Sequence, residues 1–152
     1  MADIAAELEK RMERGDFASV LCGSNRQMLY ALRRRGFRRV EAVGFTNRVH
    51  RYMDSADVLV SKPGGISITE AGTRGTPLLL ADMVGGCETR NQEFFTAHGW
   101  AESCPPAEMA EAALKLLPDE KRRQDVVSAQ HRDFDGLAAE RIAEAVLARC
   151  GK

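Results

Sequence analysis

A parallel β-sheet covered by helices on both faces is the fold class predicted by three observations. Short apolar runs alternate with segments of helical periodicity along most of the chain. The apolar runs lack the in–out alternation of a half-exposed sheet, as strands buried on both faces do. Several of them end in a glycine-containing turn that leads into the next helix, the order of a strand–helix–strand unit.

Each element has its own reason. Residues 3–14 are predicted helical, because Ile4, Leu8 and Met12 recur every four positions among Ala, Glu, Lys and Arg. Residues 17–22 form a short apolar strand closed by Gly23-Ser24-Asn25, and 26–35 resume a helix that Gly36 stops. Residues 40–43 are a strand ending at Gly44, 48–56 a short helix, 58–60 a strand, and 67–74 a helix closed by Gly75. Residues 77–81 form another buried strand, 82–88 a glycine-containing loop, 90–98 a helix and 100–103 a last short strand. Pro105-Pro106 opens a tail of three helices near 106–117, 119–133 and 136–149, separated by Pro118 and Gly136.

The 152 residues are expected to form a single domain, with a core over 18–104 and a helical tail over 105–150. Lys plus Arg and Asp plus Glu both number 22, which argues against a nucleic-acid binder relying on bulk electrostatics. Cys22, Cys87, Cys104 and Cys150 lack zinc-site spacing and are expected as free thiols in a reducing cytoplasm. No metal site, membrane span or signal peptide is read from the chain, so the expected location is cytoplasmic. His50, His98 and His131 are scattered, and none is read as a catalytic base. The basic run around Arg33-Arg34-Arg35 and Arg38-Arg39 reads as a solvated face, with contact to an anionic membrane surface as the lesser alternative.

The most informative stretch is Val58-Leu59-Val60-Ser61-Lys62-Pro63-Gly64-Gly65-Ile66-Ser67-Ile68-Thr69-Glu70-Ala71. A strand, a glycine turn and a helix start present free N–H groups and the positive end of a helix, which suits a phosphate. Glycine lets the backbone approach a ligand closely. Glu70 lies within reach of sugar hydroxyls beside such a phosphate. A competing reading is a capping box, Ser67-Ile68-Thr69-Glu70, in which Ser67 and Glu70 close the helix start reciprocally. Gly64-Gly65 also fits a plain tight turn, Lys62 a solvated side chain, and Phe45 a plug at the core edge. Three loops follow carboxyl ends of strands, where ligands of such sheets sit: Gly44-Phe45-Thr46-Asn47, Lys62-Pro63-Gly64-Gly65 and the loop from Val84-Gly85 to Asn91.

These loops, together with Gly75-Thr76-Pro77 and Gly86-Cys87-Glu88-Thr89-Arg90-Asn91, resemble the carboxyl-terminal domain of one glycosyltransferase family. It contains diacylglycerol glucosyltransferases, monogalactosyldiacylglycerol synthases and, more distantly, the enzyme that adds N-acetylglucosamine to lipid I. The resemblance implies a Rossmann-like domain, the carboxyl-terminal half of a two-domain GT-B enzyme, which holds a UDP-sugar donor. It implies that Phe45 and Thr46 meet the uracil, and that Gly64, Gly65, Ile66 and Ser67 meet the diphosphate. It further implies that Glu70 binds the ribose, and that Glu88 and Asn91 address the donor sugar. No catalytic residue and no cofactor is assigned. Where the family often has Gly-Gln-Glu, this chain has Gly86-Cys87-Glu88. A thiol cannot match the two-way hydrogen bonding of an amide, which puts sugar preference and activity in question.

By the same resemblance the chain opens in the helix after the family's first strand, and is therefore expected to be amino-terminally truncated. That strand would lie mid-sheet between strands 18–22 and 57–60. Two outcomes are expected: direct pairing of those two strands, or a homodimer that fills the gap. The acceptor domain is expected on a separate half, with any peripheral membrane contact confined to the full enzyme. The leading function is a UDP-sugar-binding domain of a hexosyltransferase acting on a lipid such as diacylglycerol, inactive alone. The alternative is a non-catalytic binding or assembly module on the same fold. A dinucleotide-binding domain ranks lower, because the Gly-x-Gly-x-x-Gly spacing is absent after the first strand.

Overall fold

A computed structural model describes residues 2–82 and 86–150. In chain order the elements are α1 (Ala2–Arg11), β1 (Ala18–Leu21), α2 (Arg26–Arg33), β2 (Val40–Val43), α3 (Val49–Ser55), β3 (Leu59–Ser61) and α4 (Gly65–Arg74). They continue with β4 (Leu78–Ala81), α5 (Cys87–Ala97), β5 (Glu102–Cys104), α6 (Met109–Leu116), α7 (Glu120–Asp133) and α8 (Ala138–Cys150). All pairings are parallel: β1 with β2 from Ala18↔Val40, β3 with β4 from Leu59↔Leu78, and β4 with β5 from Leu79↔Glu102. The predicted α/β class, parallel strands flanked by helices, is what the chain adopts.

β4 shows why its sequence is apolar without alternation. Leu78 and Leu80 pack with Ile68 and Ala71 of α4, Phe95 of α5 and Ala129 of α7. Leu79 points the other way, onto Met109, Ala113 and Leu116 of α6. All three leucines are buried, because side chains alternate across a sheet that has helices on both faces. A third cluster joins Ala5 and Met12 to Val20, Leu32, Val40 and Ala42 around β1 and β2.

The last strand begins two residues later than the sequence suggests. Trp100 sits before it, buried in an aromatic cluster, with its indole N–H donating to Asp133 Oδ2 at 2.8 Å. Its ring meets Phe95 and Phe134 edge-on, with centroids 5.2 and 4.8 Å apart, the favoured geometry for aromatic pairs.

Direct pairing of the strands at 18–22 and 57–60 does not occur. β1 belongs to a two-stranded sheet and β3 to a three-stranded one. Between them lies a cleft of about 450 Å³. The helices hold the two sheets apart. Leu8 of α1 packs both on the β1–β2 cluster and on the α6 cluster, and Arg11 of α1 reaches Glu111 at the base of α6 at 3.6 Å. α1 therefore straddles the two sheets at a fixed width.

A second fastening lies outside the apolar pattern. The Glu9 carboxylate accepts the backbone N–H groups of Arg38, Arg39 and Val40 at 3.0, 2.9 and 3.1 Å, tying α1 to the start of β2. These bonds, Arg38 N–H foremost, hold the Glu9 carboxyl below its ordinary 4.5. A carboxyl lowered in the folded state contributes stability that is present above its unfolded pKa and is lost as pH falls through the folded one. The melting temperature of Glu9→Gln is therefore expected to lie below that of wild type at neutral pH. The difference should narrow as pH drops below about 4.5. Thermal melts of both proteins across that range check this, and a constant difference would contradict it.

Candidate functional site

The site is built on the passage from β3 to α4. After Ser61 the chain turns tightly, with Gly64 N–H donating to Lys62 O at 2.8 Å. Gly64 caps α4 with extended backbone (φ −76°, ψ 123°) and contributes no side-chain hydrogen bond. The N–H groups of Gly65, Ile66 and Ser67 thus form the open first turn, and the helical ladder begins with Ile68 N–H to Gly64 O at 3.2 Å. All three residues are exposed, with Ile66 at 87%. The capping-box reading fails here. Helix α4 starts two residues before Ser67, so Ser67 is its third residue rather than its cap. Glu70 leans instead toward Arg74, with Oε1 to Nε at 3.8 Å.

The first turn of α5 closes on the same place. Glu88 forms an ion pair with Lys62, and Asn91 Nδ2 donates to Pro63 O at 3.0 Å. A Cβ added at Gly64 would meet Lys62 Cε at 3.6 Å and Glu88 Oε1 at 3.8 Å, and one at Gly65 would meet Asn91 Nδ2 at 3.8 Å. Gly64, Gly65, Glu88 and Asn91, predicted separately, are therefore brought together. Lys62, read as a solvated side chain, joins them. Two helix starts give this crook open N–H groups suited to an anion, while the Lys62 ammonium is paired with the Glu88 carboxylate. Val84 and Gly85 of the predicted third loop lie outside the described residues. Cys87 is an exposed free thiol at the first position of α5.

Phe45 and Thr46 stand in a neighbouring open basin with Asn47, Arg48, Arg51, Tyr52 and Ser55. Phe45 is 82% exposed, so it does not plug the core. Thr46 Oγ1 accepts Arg48 N–H at 3.0 Å and shapes the loop. The basin is joined to α4 through Arg74, which reaches Asp54 of α3 at 2.5 Å as well as Glu70. Glu70 is thus linked through Arg74 to α3, the helix that lines one side of the basin. Sequence reasoning missed the polar wall of the basin. Its signal was the spacing of Arg48, Arg51, Tyr52 and Ser55, which places them on one face of a short helix.

With this geometry in hand, comparison with known proteins places the chain. The profile of the family described as "Glycosyl transferases group 1" matches residues 2–133. The chain belongs to this glycosyltransferase family. Among curated relatives, the processive diacylglycerol beta-glucosyltransferase of Staphylococcus carnosus (strain TM300) is 31% identical over 102 residues, covering 66% of this chain and 25% of that protein. The enzyme of the same description from Bacillus subtilis (strain 168) is 33% identical over 105 residues, covering 66% of this chain and 28% of that protein. The chain thus spans between a quarter and a third of the length of these relatives.

Among solved structures, the MurG of Acinetobacter baumannii superposes with a TM-score of 0.71 at 15% identity, covering 94% of this chain and 44% of that one. The Anabaena protein Alr3699/HepE, solved in complex with UDP, superposes with a TM-score of 0.61 at 20% identity, covering 95% of this chain and 44% of that one. These are likenesses of fold, and the fold is that of the carboxyl-terminal domain of GT-B glycosyltransferases. No described helix of this glycosyltransferase domain is long and apolar enough to cross a membrane.

Proposed function

We propose that this domain binds the UDP-sugar donor of a glycosyltransferase that transfers a hexose to a lipid acceptor such as diacylglycerol. The observation that carries the reading is the uncapped start of α4, where Gly64-Gly65 leaves three N–H groups open beside Lys62. The diphosphate rests on the amides of Gly65, Ile66 and Ser67. Glu70 accepts the ribose hydroxyls, Phe45 and Thr46 meet the uracil, and Glu88 and Asn91 face the donor sugar. The Lys62–Glu88 pair gives this arrangement an order of events. A diphosphate draws Lys62 toward itself and frees the Glu88 carboxylate for sugar hydroxyls. The diacylglycerol glucosyltransferase relatives support the lipid acceptor, and the UDP complex of the Anabaena protein supports the nucleotide.

Calorimetry with UDP on wild type and Glu70→Ala tests the reading. A hydrogen bond to a charged group contributes about 1.5–3 kcal/mol, so Glu70→Ala is expected to weaken UDP binding by roughly 10- to 100-fold. Wild type that fails to bind UDP at millimolar concentration overturns the proposal. Donor and acceptor must be held together in one closed, water-poor site. The 152-residue chain alone is therefore expected to show little or no turnover with a UDP-sugar and diacylglycerol. A second reading, a non-catalytic module on the same fold, is favoured by Cys87 in place of the family's amide. It is chosen if no UDP binds.

A further inference from the structure

Arg74, the last residue of α4, meets two carboxylates with two edges of one guanidinium. Its Nη1 donates to Asp54 Oδ1 of α3 at 2.5 Å, and its Nε faces Glu70 Oε1, one helical turn earlier, at 3.8 Å. The Glu70 pair alone would be an ordinary i,i+4 contact on a helix surface. Asp54 lies 20 positions away in sequence, so the pair with it joins two helices. Buried Thr76 fastens the same junction, its hydroxyl donating to Met53 O at 3.1 Å near the end of α3.

The two distances assign different tasks. The Asp54 contact is short enough to be a hydrogen bond and anchors the guanidinium on α3. The Glu70 contact is too long for one, so the carboxylate oxygens keep their capacity to accept from a ligand. A fixed cation nevertheless stands beside that carboxylate. A glutamate side chain has several rotatable bonds, and holding it still for a ligand carries an entropic cost. A guanidinium anchored from a second helix restricts that freedom before any ligand arrives. Lysine would do this less well, because its ammonium is a point charge, whereas the guanidinium presents donors along separate edges of one rigid plane.

We propose that the Asp54–Arg74 pair is a positioning device that aims the Glu70 carboxylate, and that through it the domain favours nucleotides carrying ribose hydroxyls. Arg74 acts through Glu70 and not on the nucleotide. The proposal rests on the reading of Glu70 as the ribose acceptor, and extends it from the group that binds to the two residues that hold that group in place. It also gives α3 a part in the ribose half of the site, beside the basin that the same helix lines with Arg51, Tyr52 and Ser55. A role confined to the last turn of α4 would change stability and treat all nucleotides alike.

Calorimetry with two ligands, UDP and its 2′,3′-dideoxy analogue, tests this. Arg74→Met keeps the aliphatic stem and removes the guanidinium. It is expected to weaken UDP binding by about 3- to 10-fold and to leave the dideoxy analogue within about twofold of wild type. Arg74→Lys, which restores the charge but not the fork, should recover only part of the loss. Asp54→Asn keeps Arg74 but releases its anchor, and should weaken UDP in the same selective way. In a Glu70→Ala background, Arg74→Met should add nothing, as expected of residues acting through one another. The proposal is overturned if Arg74→Met or Asp54→Asn binds UDP as wild type does. It is also overturned if Arg74→Met weakens both ligands equally, which marks a merely structural role, or if its effect persists without Glu70. Wild type that binds the two ligands equally removes Glu70 from the ribose, and that separate result overturns the underlying reading together with the proposal.

Discussion

Gly65→Val is expected to remove measurable UDP binding while leaving the fold intact. Gly65 is the first residue of α4, and a Cβ there meets only Asn91 Nδ2, at an ordinary 3.8 Å. The protein has room for a side chain at this position, but a bound phosphate does not. To bond the turn it must come within about 3 Å of the backbone nitrogens, the space that the valine methyls would occupy. Replacing glycine in a helix gains roughly what β-branching costs, so the melting temperature should stay within about 4 °C of wild type. The affinity loss should be at least 100-fold, equivalent to about 2.8 kcal/mol, with Gly65→Ala intermediate. Calorimetry and thermal melts on the same preparations check both halves. Unchanged UDP affinity in the valine variant would place the phosphate elsewhere. Gly72 in the same helix makes the contrast: a Cβ there lies 2.9 Å from Phe134 Cε2, so that glycine serves the approach of α7.

The strand at 40–43 was legible to the residue, and those at 18–21, 59–61 and 78–81 to within one or two residues. Apolar runs bounded by glycine and proline carry that signal directly. The starts of α4 and α5 were not legible. Both are capped by glycine, Gly64 and Gly86, with no side-chain hydrogen bond. A search for capping side chains therefore slid to Ser67 and delayed each helix by two or three residues. The same error produced the capping-box reading of Glu70. Gly64, Gly65, Glu88 and Asn91 were assigned through the resemblance to a glycosyltransferase family, and the fold brings these four residues close to one another. Lys62 is exposed, as the sequence suggests, but its partner Glu88 is 26 positions away, and no local pattern reveals such a pair. The slot between the sheets was foreseen, and of the two outcomes expected for it direct pairing of its strands does not occur. Whether two edges close depends on the width set by helices packed above and below, here by Leu8 facing two clusters at once.

Gln130→Leu is expected to be among the most destabilising single changes outside the apolar core, although the sequence offers no hint of it. Gln130 is fully buried in α7. Its Nε2 donates to Thr76 O at 3.1 Å and to Trp100 O at 2.8 Å. These carbonyls belong to the residues that lead into β4 and β5, so one amide ties α7 to the entry points of two neighbouring strands. Leucine matches the volume but leaves both acceptors buried and unpaired, at about 1–3 kcal/mol each. Part of that loss is offset, because Gln130 Oε1 is itself without a hydrogen-bond partner and the substitution removes it. The net cost should be about 2–4 kcal/mol, a drop in melting temperature of roughly 5–12 °C for a domain of this size. Gln130→Glu separates the hydrogen bonds from the packing. At neutral pH its carboxylate has no proton to donate and faces two carbonyl oxygens, so it should be worse than leucine. On acidification the protonated acid can donate to one of them, and the deficit relative to wild type should shrink. Melts of the three proteins as a function of pH check the argument. A glutamate variant as stable as wild type at neutral pH would show that the amide's two bonds do not hold α7 to the sheet.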